Sequence, residues 1–152
     1  MSPILLVAML ACSARKDSTE SDTLEVDPLA WPLVEPGPYG AGFESWDVTY
    51  SPGEAFEDRT IRLNLWYPTT AESGPPASYT FGVDPESMEG ATPADPVHPG
   101  GYPVHVFSHG SQAIGESSAF LSRHLASHGW ITVAPNHTQN TLIDHRDPLP
   151  SA

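Results

Sequence analysis

One stretch of this chain, Tyr102 to Pro135, constrains the fold more than any other. It begins with a nearly continuous apolar strand, Val104 to Phe107, as expected for a parallel strand covered on both faces. The chain then continues into a loop built on His109-Gly110. A helix is predicted from Glu116 to His128, because Phe120, Leu121, Leu125 and Ala126 recur at helical spacing and Gly129 suits the left-handed position that ends a helix. A second strand, Trp130 to Ala134, follows. A strand, a helix and a second strand in this order predict an α/β fold in which the two strands are parallel.

Two further strands are predicted upstream of this unit. Trp46 to Tyr50 and Arg59 to Tyr67 alternate apolar and polar residues, as half-buried strands do, and Ser51-Pro52-Gly53 separates them. They are expected to pair antiparallel and lead into a mixed, mostly parallel sheet. The segment 69–101 is rich in proline, glycine and acidic residues, and we interpret it as a surface insertion. The folded domain is therefore placed at residues 38–152.

The N-terminal region suggests export. Pro3 to Ala11 is an apolar run too short to span a bilayer but long enough for a secretory signal. Met9-Leu10-Ala11-Cys12 resembles a bacterial lipobox, although no basic residue precedes the run. Residues 1–12 are thus interpreted as a signal peptide whose Cys12 is lipidated, and 13–37 as an acidic, proline-rich tether. The resemblance implies an extracytoplasmic lipoprotein, anchored to the membrane on the periplasmic side or at the cell surface. The alternative is a frayed apolar N-terminus with a buried thiol.

Charge and cysteine content exclude several classes of function. The chain has 6 Lys and Arg residues and 19 Asp and Glu residues, which gives a formal net charge of −13. A surface this acidic repels phosphate backbones, so nucleic acid is not expected as a partner. Cys12 is the single cysteine, so neither an internal disulfide nor a cysteine-based metal cluster can form.

The loop after the first parallel strand is the strongest candidate for chemistry. His109, Gly110, Ser111 and Gln112 lie where a buried strand opens toward a helix. Acyl transfer needs backbone N–H donors aimed at a developing oxyanion, and a glycine lets the backbone approach the substrate. The histidine side chain can brace the loop, and the amide of Ser111 or Gln112 is the expected donor. The alternative is an ordinary strand-to-helix turn that contains His-Gly.

Gly115-Glu116-Ser117-Ser118-Ala119 approximates the G-x-S-x-A form of a nucleophile elbow. A true elbow places its serine on a strained turn directly after a strand. Ser117 instead lies several residues beyond Phe107, and helix initiation accounts for two serines at this point. Ser117 is therefore not predicted to be a nucleophile.

The histidines raise the question of a metal site. His124 and His128 share a helix face, but the glutamate of an H-E-x-x-H motif is missing between them, so packing is the expected role and no metal is predicted. His137 and His145 follow the last strand, on the side where such sheets bind ligands, yet neither has an evident partner. Asp144 and Asp147 are similarly placed and are expected to be solvated.

Several motifs together resemble one family. P-V-H-V-F-S-H-G, H-L-A-S-H-G-W and I-T-V-A-P-N-H, with P-Y-G-A-G-F and L-N-L-W-Y-P upstream, resemble the platelet-activating-factor acetylhydrolase and dienelactone-hydrolase-like branch of the α/β-hydrolases. The likeness covers residues 38–145. It implies hydrolysis of small or lipid-like carboxylic esters without a cofactor, with the oxyanion role on the loop after His109-Gly110.

In that family the nucleophile, acid and base follow the matched segments, so no catalytic triad residue carries over to this chain. We therefore expect the N-terminal portion of a secreted serine ester hydrolase, inactive alone and ending before the nucleophile strand. The alternative is a surface lipoprotein that keeps half of the hydrolase fold as a binding or structural module.

Overall fold

The computed structural model describes residues 32–96 and 98–144. The predicted signal peptide, Cys12, most of the tether, His145 and Asp147 lie outside these residues. The elements, in chain order, are β1 (Gly40–Tyr50), β2 (Arg59–Thr69), β3 (Pro76–Tyr79), β4 (Gly82–Glu89), β5 (Val104–Val106), a 3₁₀ turn (Gly115–Ser118), α1 (Ala119–Ser127) and β6 (Ile131–Pro135). Within the described ranges no helix is long and apolar enough to cross a bilayer.

The six strands form one mixed sheet in the order β3-β4-β1-β2-β6-β5. Strands β1 and β2 pair antiparallel along their whole length, from Gly40 opposite Thr69 to Tyr50 opposite Arg59. Strands β5 and β6 pair parallel, with Val104 opposite Ile131. Both pairings and the α/β fold class are therefore confirmed. The expected parallel majority is not observed, because three of the five strand pairings in the described residues are antiparallel, so the sheet is mixed.

The core lies between one face of this sheet and α1. Phe43 of β1 and Trp66 of β2 are fully buried, with their ring centroids 5.0 Å apart, and Tyr79 meets Phe43 edge-on at 4.8 Å. Ala126 of α1 and Ala134 of β6 complete this cluster. Small residues on the helix let it lie close to the aromatic rings, which supply most of the buried apolar area.

The opposite face of the sheet is apolar but uncovered within the described residues. Paired register places Leu65, Val133 and Val106 side by side on this face, and Val104 and Val106 are 57% and 67% exposed. The sequence predicts that the strand of residues 104–107 is covered on both faces. That expectation is not met here, because α1 is the one α-helix of the described chain and packs on the other face. Strand β5 also lies at the edge of the sheet.

The segment 69–101, interpreted from sequence as an insertion, contains the β3–β4 hairpin. Strand β4 pairs parallel with β1 and so extends the sheet, with Ala41 opposite Ser87. The hairpin lacks the apolar alternation of a typical strand because two of its inward residues, Asp84 and Ser87, are polar. They are buried at low cost because Arg123 of α1 donates to the Asp84 carboxylate at 2.8 Å and Ser87 donates to it at 2.9 Å.

Candidate functional site

His109 anchors the bend that follows β5. Its side chain is only 5% exposed, and its Nε2 accepts a hydrogen bond from the backbone amide of His137 at 2.9 Å. Because an amide can only donate, Nε2 carries no proton, and Nδ1–H must donate to the carbonyl of Gly110, 2.8 Å away. The ring is therefore neutral with both nitrogens occupied. It ties the bend to the segment that follows β6, as the bracing role predicted for it requires.

The two backbone amides predicted as oxyanion donors differ in availability. The Gln112 amide donates to the carbonyl of Asn140 at 3.1 Å and also lies 3.3 Å from the Asn140 side-chain oxygen. The next amide, of Ala113, donates to the carbonyl of Gly110 at 3.2 Å. The Ser111 amide has no acceptor among the residues that the structure describes. Of the two candidates, Ser111 is thus the amide left to bind an anion.

Backbone conformation holds this bend in one shape. Gln112 has a φ of 56°, in the left-handed region that costs a non-glycine residue about 1–2 kcal/mol. The two hydrogen bonds to Asn140 offset that cost, and a bridge between Ala113 and Thr141 adds a further tie. Strained residues kept in place by their surroundings are common at functional sites. The bend is therefore held from two sides, by His109 and by Asn140.

A serine–histidine pair lies next to the bend. The Ser108 Oγ and the His137 Nε2 are 2.8 Å apart, and the His137 ring packs against His109 with centroids 4.3 Å apart. Partial burial lowers the pKa of His137, so this ring is neutral at pH 7. The sequence places His137 near a ligand pocket without naming a partner, and Ser108 is that partner. Within the described chain no acid bonds to the second ring nitrogen, so the arrangement is a pair and not a triad.

A cavity of about 500 Å³ opens on one side of the bend. The loop and 3₁₀ turn contribute one wall, from Gln112 to Ser117, and the tip of the β3–β4 hairpin contributes the other, from Tyr79 to Val83. Leu142 closes part of the rim. The bend predicted to bind an oxyanion therefore borders a space large enough for a small organic molecule.

Ser117 lies on the 3₁₀ turn and not at the end of a strand. Its hydroxyl accepts a hydrogen bond from the Ile114 amide at 3.1 Å, which is a helix-initiating contact. The turn packs tightly against the sheet: a Cβ on Gly115 would lie 2.5 Å from Asn64 Nδ2 and 2.6 Å from the Ala134 carbonyl. The position of Ser117 thus agrees with its interpretation as a helix-start residue.

His124 and His128 hold the N-terminal segment against α1. Their Nε2 atoms lie 2.7 Å from the Leu33 carbonyl and 3.0 Å from the Glu35 carbonyl, so each ring donates its N–H to the backbone. Ser127, between them, bonds Gly37 and Tyr39. The two histidines therefore have the packing role expected of them. No group of three metal-ligating side chains occurs in the described part of the chain.

Asp144 closes the turn of residues 139–144. Its carboxylate accepts from the Gln139 amide at 2.9 Å and from the amide and hydroxyl of Thr141. Partial burial alone would raise the pKa of Asp144, but these hydrogen bonds outweigh it and lower the pKa. Asp144 is exposed, as expected, and in addition shapes the turn that carries Asn140.

The chain is similar to a protein-family model and to a solved esterase structure. The Chlorophyllase family model matches residues 77–151. Among solved structures, a ferulic acid esterase from Streptomyces cinnamoneus superposes with a TM-score of 0.59 at 22% identity, over 72% of this chain. The chain therefore has an α/β-hydrolase-like fold. It spans 37% of the length of the matched esterase chain. None of the curated proteins matches it by sequence.

Two residues of this candidate site were not predicted from the sequence. Asn140 holds the Gln112 amide but lies in a polar tail that carries no packing signal. Glu116 is interpreted as a residue that favours a helix start, yet it is 9% exposed and lines the cavity. The sequence could have indicated this position, because Glu116 lies close to the predicted oxyanion loop and a charged residue beside such a loop can face a ligand.

Proposed function

We propose that this chain supplies the oxyanion-binding part of a serine hydrolase for small or lipid-like carboxylic esters, of the platelet-activating-factor acetylhydrolase and dienelactone-hydrolase-like branch. The observation that carries the proposal is the unoccupied Ser111 amide on a bend that His109 and Asn140 hold rigid beside a cavity. The relationship to esterase-like hydrolases supports the reaction class.

In the proposed reaction the ester carbonyl oxygen binds at the Ser111 amide. Attack on the carbonyl carbon moves negative charge onto this oxygen, and a donor fixed 2.7–3.1 Å from it stabilises the transition state more than the ground state. Because His109 and Asn140 already hold the bend, the amide needs no reorganisation during the reaction. The chemistry requires no cofactor.

The nucleophile, acid and base of this proposal come from outside the described residues. Among those residues, no serine lies on a sharp strand-to-helix turn beside a histidine that an acid orients. Ser117 is engaged with the Ile114 amide, and Ser108 pairs with a histidine that has no orienting acid in the described chain. The uncovered sheet face and the edge strand β5 give a surface against which further strands and helices can pack.

Hydrolysis of p-nitrophenyl acetate tests this assignment. We expect the 152-residue chain alone to be no faster than buffer, and a gene product read beyond codon 152 that includes a nucleophile elbow to turn over. Ser108→Ala and Ser117→Ala are the controls on the chain alone. Turnover by the chain that Ser108→Ala abolishes would instead make Ser108 and His137 a nucleophile and its base. A stop codon directly after codon 152, with a stable folded product, would favour the binding-module alternative.

We also propose that Cys12 is lipidated and that 13–37 tethers the domain to the membrane on the extracytoplasmic side. The apolar run and the lipobox-like Met9-Leu10-Ala11-Cys12 support this location. Metabolic labelling with an alkyne fatty acid in a bacterial host should mark the native chain and not a Cys12→Ser variant. Labelling of both, or of neither with the chain retained in the cytoplasm, would contradict the proposal.

A further inference from the structure

The cavity beside the bend has apolar walls that the chain leaves open. Phe81 and Val83 at the tip of the β3–β4 hairpin are 66% and 64% exposed, and Leu142 on the opposite rim is 57% exposed. Ile114 contributes a buried apolar surface. Exposed apolar side chains that converge on one cavity gain free energy when a ligand removes them from water.

One wall of the cavity carries a carboxylate with an unused acceptor. Glu116 is 9% exposed, and its Oε1 accepts from the Thr80 hydroxyl at 2.9 Å and the Thr80 amide at 3.3 Å. Its Oε2 is buried and has no hydrogen-bond partner among the described residues. A buried acceptor without a donor costs free energy, and a ligand O–H or N–H group recovers it when the Glu116 carboxylate turns toward the cavity.

The geometry points to a subsite for one substituent of the ester, with Glu116 as its polar recognition group. This inference rests on the proposed function. The cavity is lined from Gln112, the residue after Ser111, so it lies beside an ester bound at the Ser111 amide, and we assign one substituent of the ester to it. The preferred substituent is an apolar or aromatic group that carries a hydroxyl or amine donor. An equally large group without a donor leaves Glu116 unpaired and binds less well.

Two fluorinated probes test this preference without any turnover. para-Trifluoromethylphenol carries a donor, and para-trifluoromethylanisole is the same molecule with its donor methylated. Their affinities for the full 152-residue chain are measured by line broadening in fluorine NMR. We expect the phenol to bind about 10-fold more tightly than the anisole, as a hydrogen bond to a charged acceptor provides.

Matched variants assign the preference to particular side chains. Glu116→Gln should reduce the difference between the probes to within about 2-fold, while Glu44→Gln, on the exposed part of β1, should leave it unchanged. Phe81→Ala should weaken the binding of both probes equally, by about 3-fold, and should leave the fold intact because Phe81 is exposed.

Defined outcomes would overturn the subsite. These are equal affinity of the two probes for the native chain, a preference that survives Glu116→Gln, binding unaffected by Phe81→Ala, or no broadening of either probe at millimolar concentration. The NMR assay measures binding alone, so the subsite and the proposed function can fail separately. If the probes bind as expected but the ester-hydrolysis test fails, the subsite stands and the oxyanion proposal is wrong.

Discussion

Replacement of Ser111 by proline is expected to lower the kcat of the proposed ester hydrolase by about 10²–10³-fold, the loss seen when one oxyanion donor is removed. Proline deletes the backbone N–H, and φ at Ser111 is not in the positive range that would forbid it. The loss should fall on kcat, with KM changed far less, because the carbonyl oxygen needs the donor chiefly when it becomes charged.

Ser111→Ala is the matched control for this change. It removes the hydroxyl, which donates to Asn140 at 3.3 Å, but keeps the amide. We expect kcat to stay within about 3-fold of the native value, since this bond is long and exposed. Stopped assays with a soluble acetyl ester measure both variants. Equal losses in the two, or a proline variant with native kcat, would show that the Ser111 amide does not contact the oxyanion.

Arg123→Met is expected to destabilise the domain by about 2–4 kcal/mol, because it leaves the Asp84 carboxylate buried without its cation. Asp84 is 7% exposed, and its Oδ2 lies 2.8 Å from Arg123, whose side chain is 24% exposed. The same carboxylate accepts from Tyr79 and Ser87, so the loss also loosens the β3–β4 hairpin. Urea unfolding measures the change.

Arg62→Met provides the comparison on the same sheet. Arg62 pairs with Asp47 at 3.0 Å, but both side chains are about half exposed, at 49% and 52%. Exposed pairs are screened by solvent, so we expect little change in stability. A larger loss for Arg62→Met than for Arg123→Met would contradict the account of the hairpin.

The effect of Arg123 should depend on pH in a defined direction. Burial by itself raises the pKa of Asp84, but hydrogen bonds from Tyr79, the Glu86 amide, Arg123 and Ser87 together lower it below 3.8. A lowered pKa stabilises the fold above the unfolded value near 3.8, and this contribution disappears as the pH falls through the folded value. The difference in the free energy of unfolding between the native protein and Arg123→Met should therefore be largest at neutral pH and decrease in strong acid. A difference independent of pH would exclude the ionic interaction as its cause.

The parallel unit around His109 was predictable because its signals are local. Apolar residues at helical spacing and Gly129, whose φ is 86°, mark α1 and its end, and the two strands flank it closely in sequence. The observed bounds shift by a few residues: the helix begins at Ala119 after a 3₁₀ turn, and the second strand runs from Ile131 to Pro135. Element ends depend on hydrogen bonding that a pattern does not record.

The hairpin and the details of the site depend on distant contacts. Asp84 can be buried in β4 only because Arg123, 39 residues later, reaches it. Likewise, the sequence names Ser111 and Gln112 as equal candidates, and only the position of Asn140 shows which amide is already bonded. Such pairings are set by tertiary structure, so periodicity and composition leave them open.

The structure of the proposed hydrolase with a phosphonate bound to its nucleophile tests the central claim most directly, because the phosphonyl oxygen marks where the oxyanion forms. We predict that this oxygen lies about 2.7–3.1 Å from the Ser111 nitrogen, with the Gln112 amide still bonded to Asn140. A phosphonyl oxygen bound by other donors, with the Ser111 N–H directed away from it, would contradict the assignment.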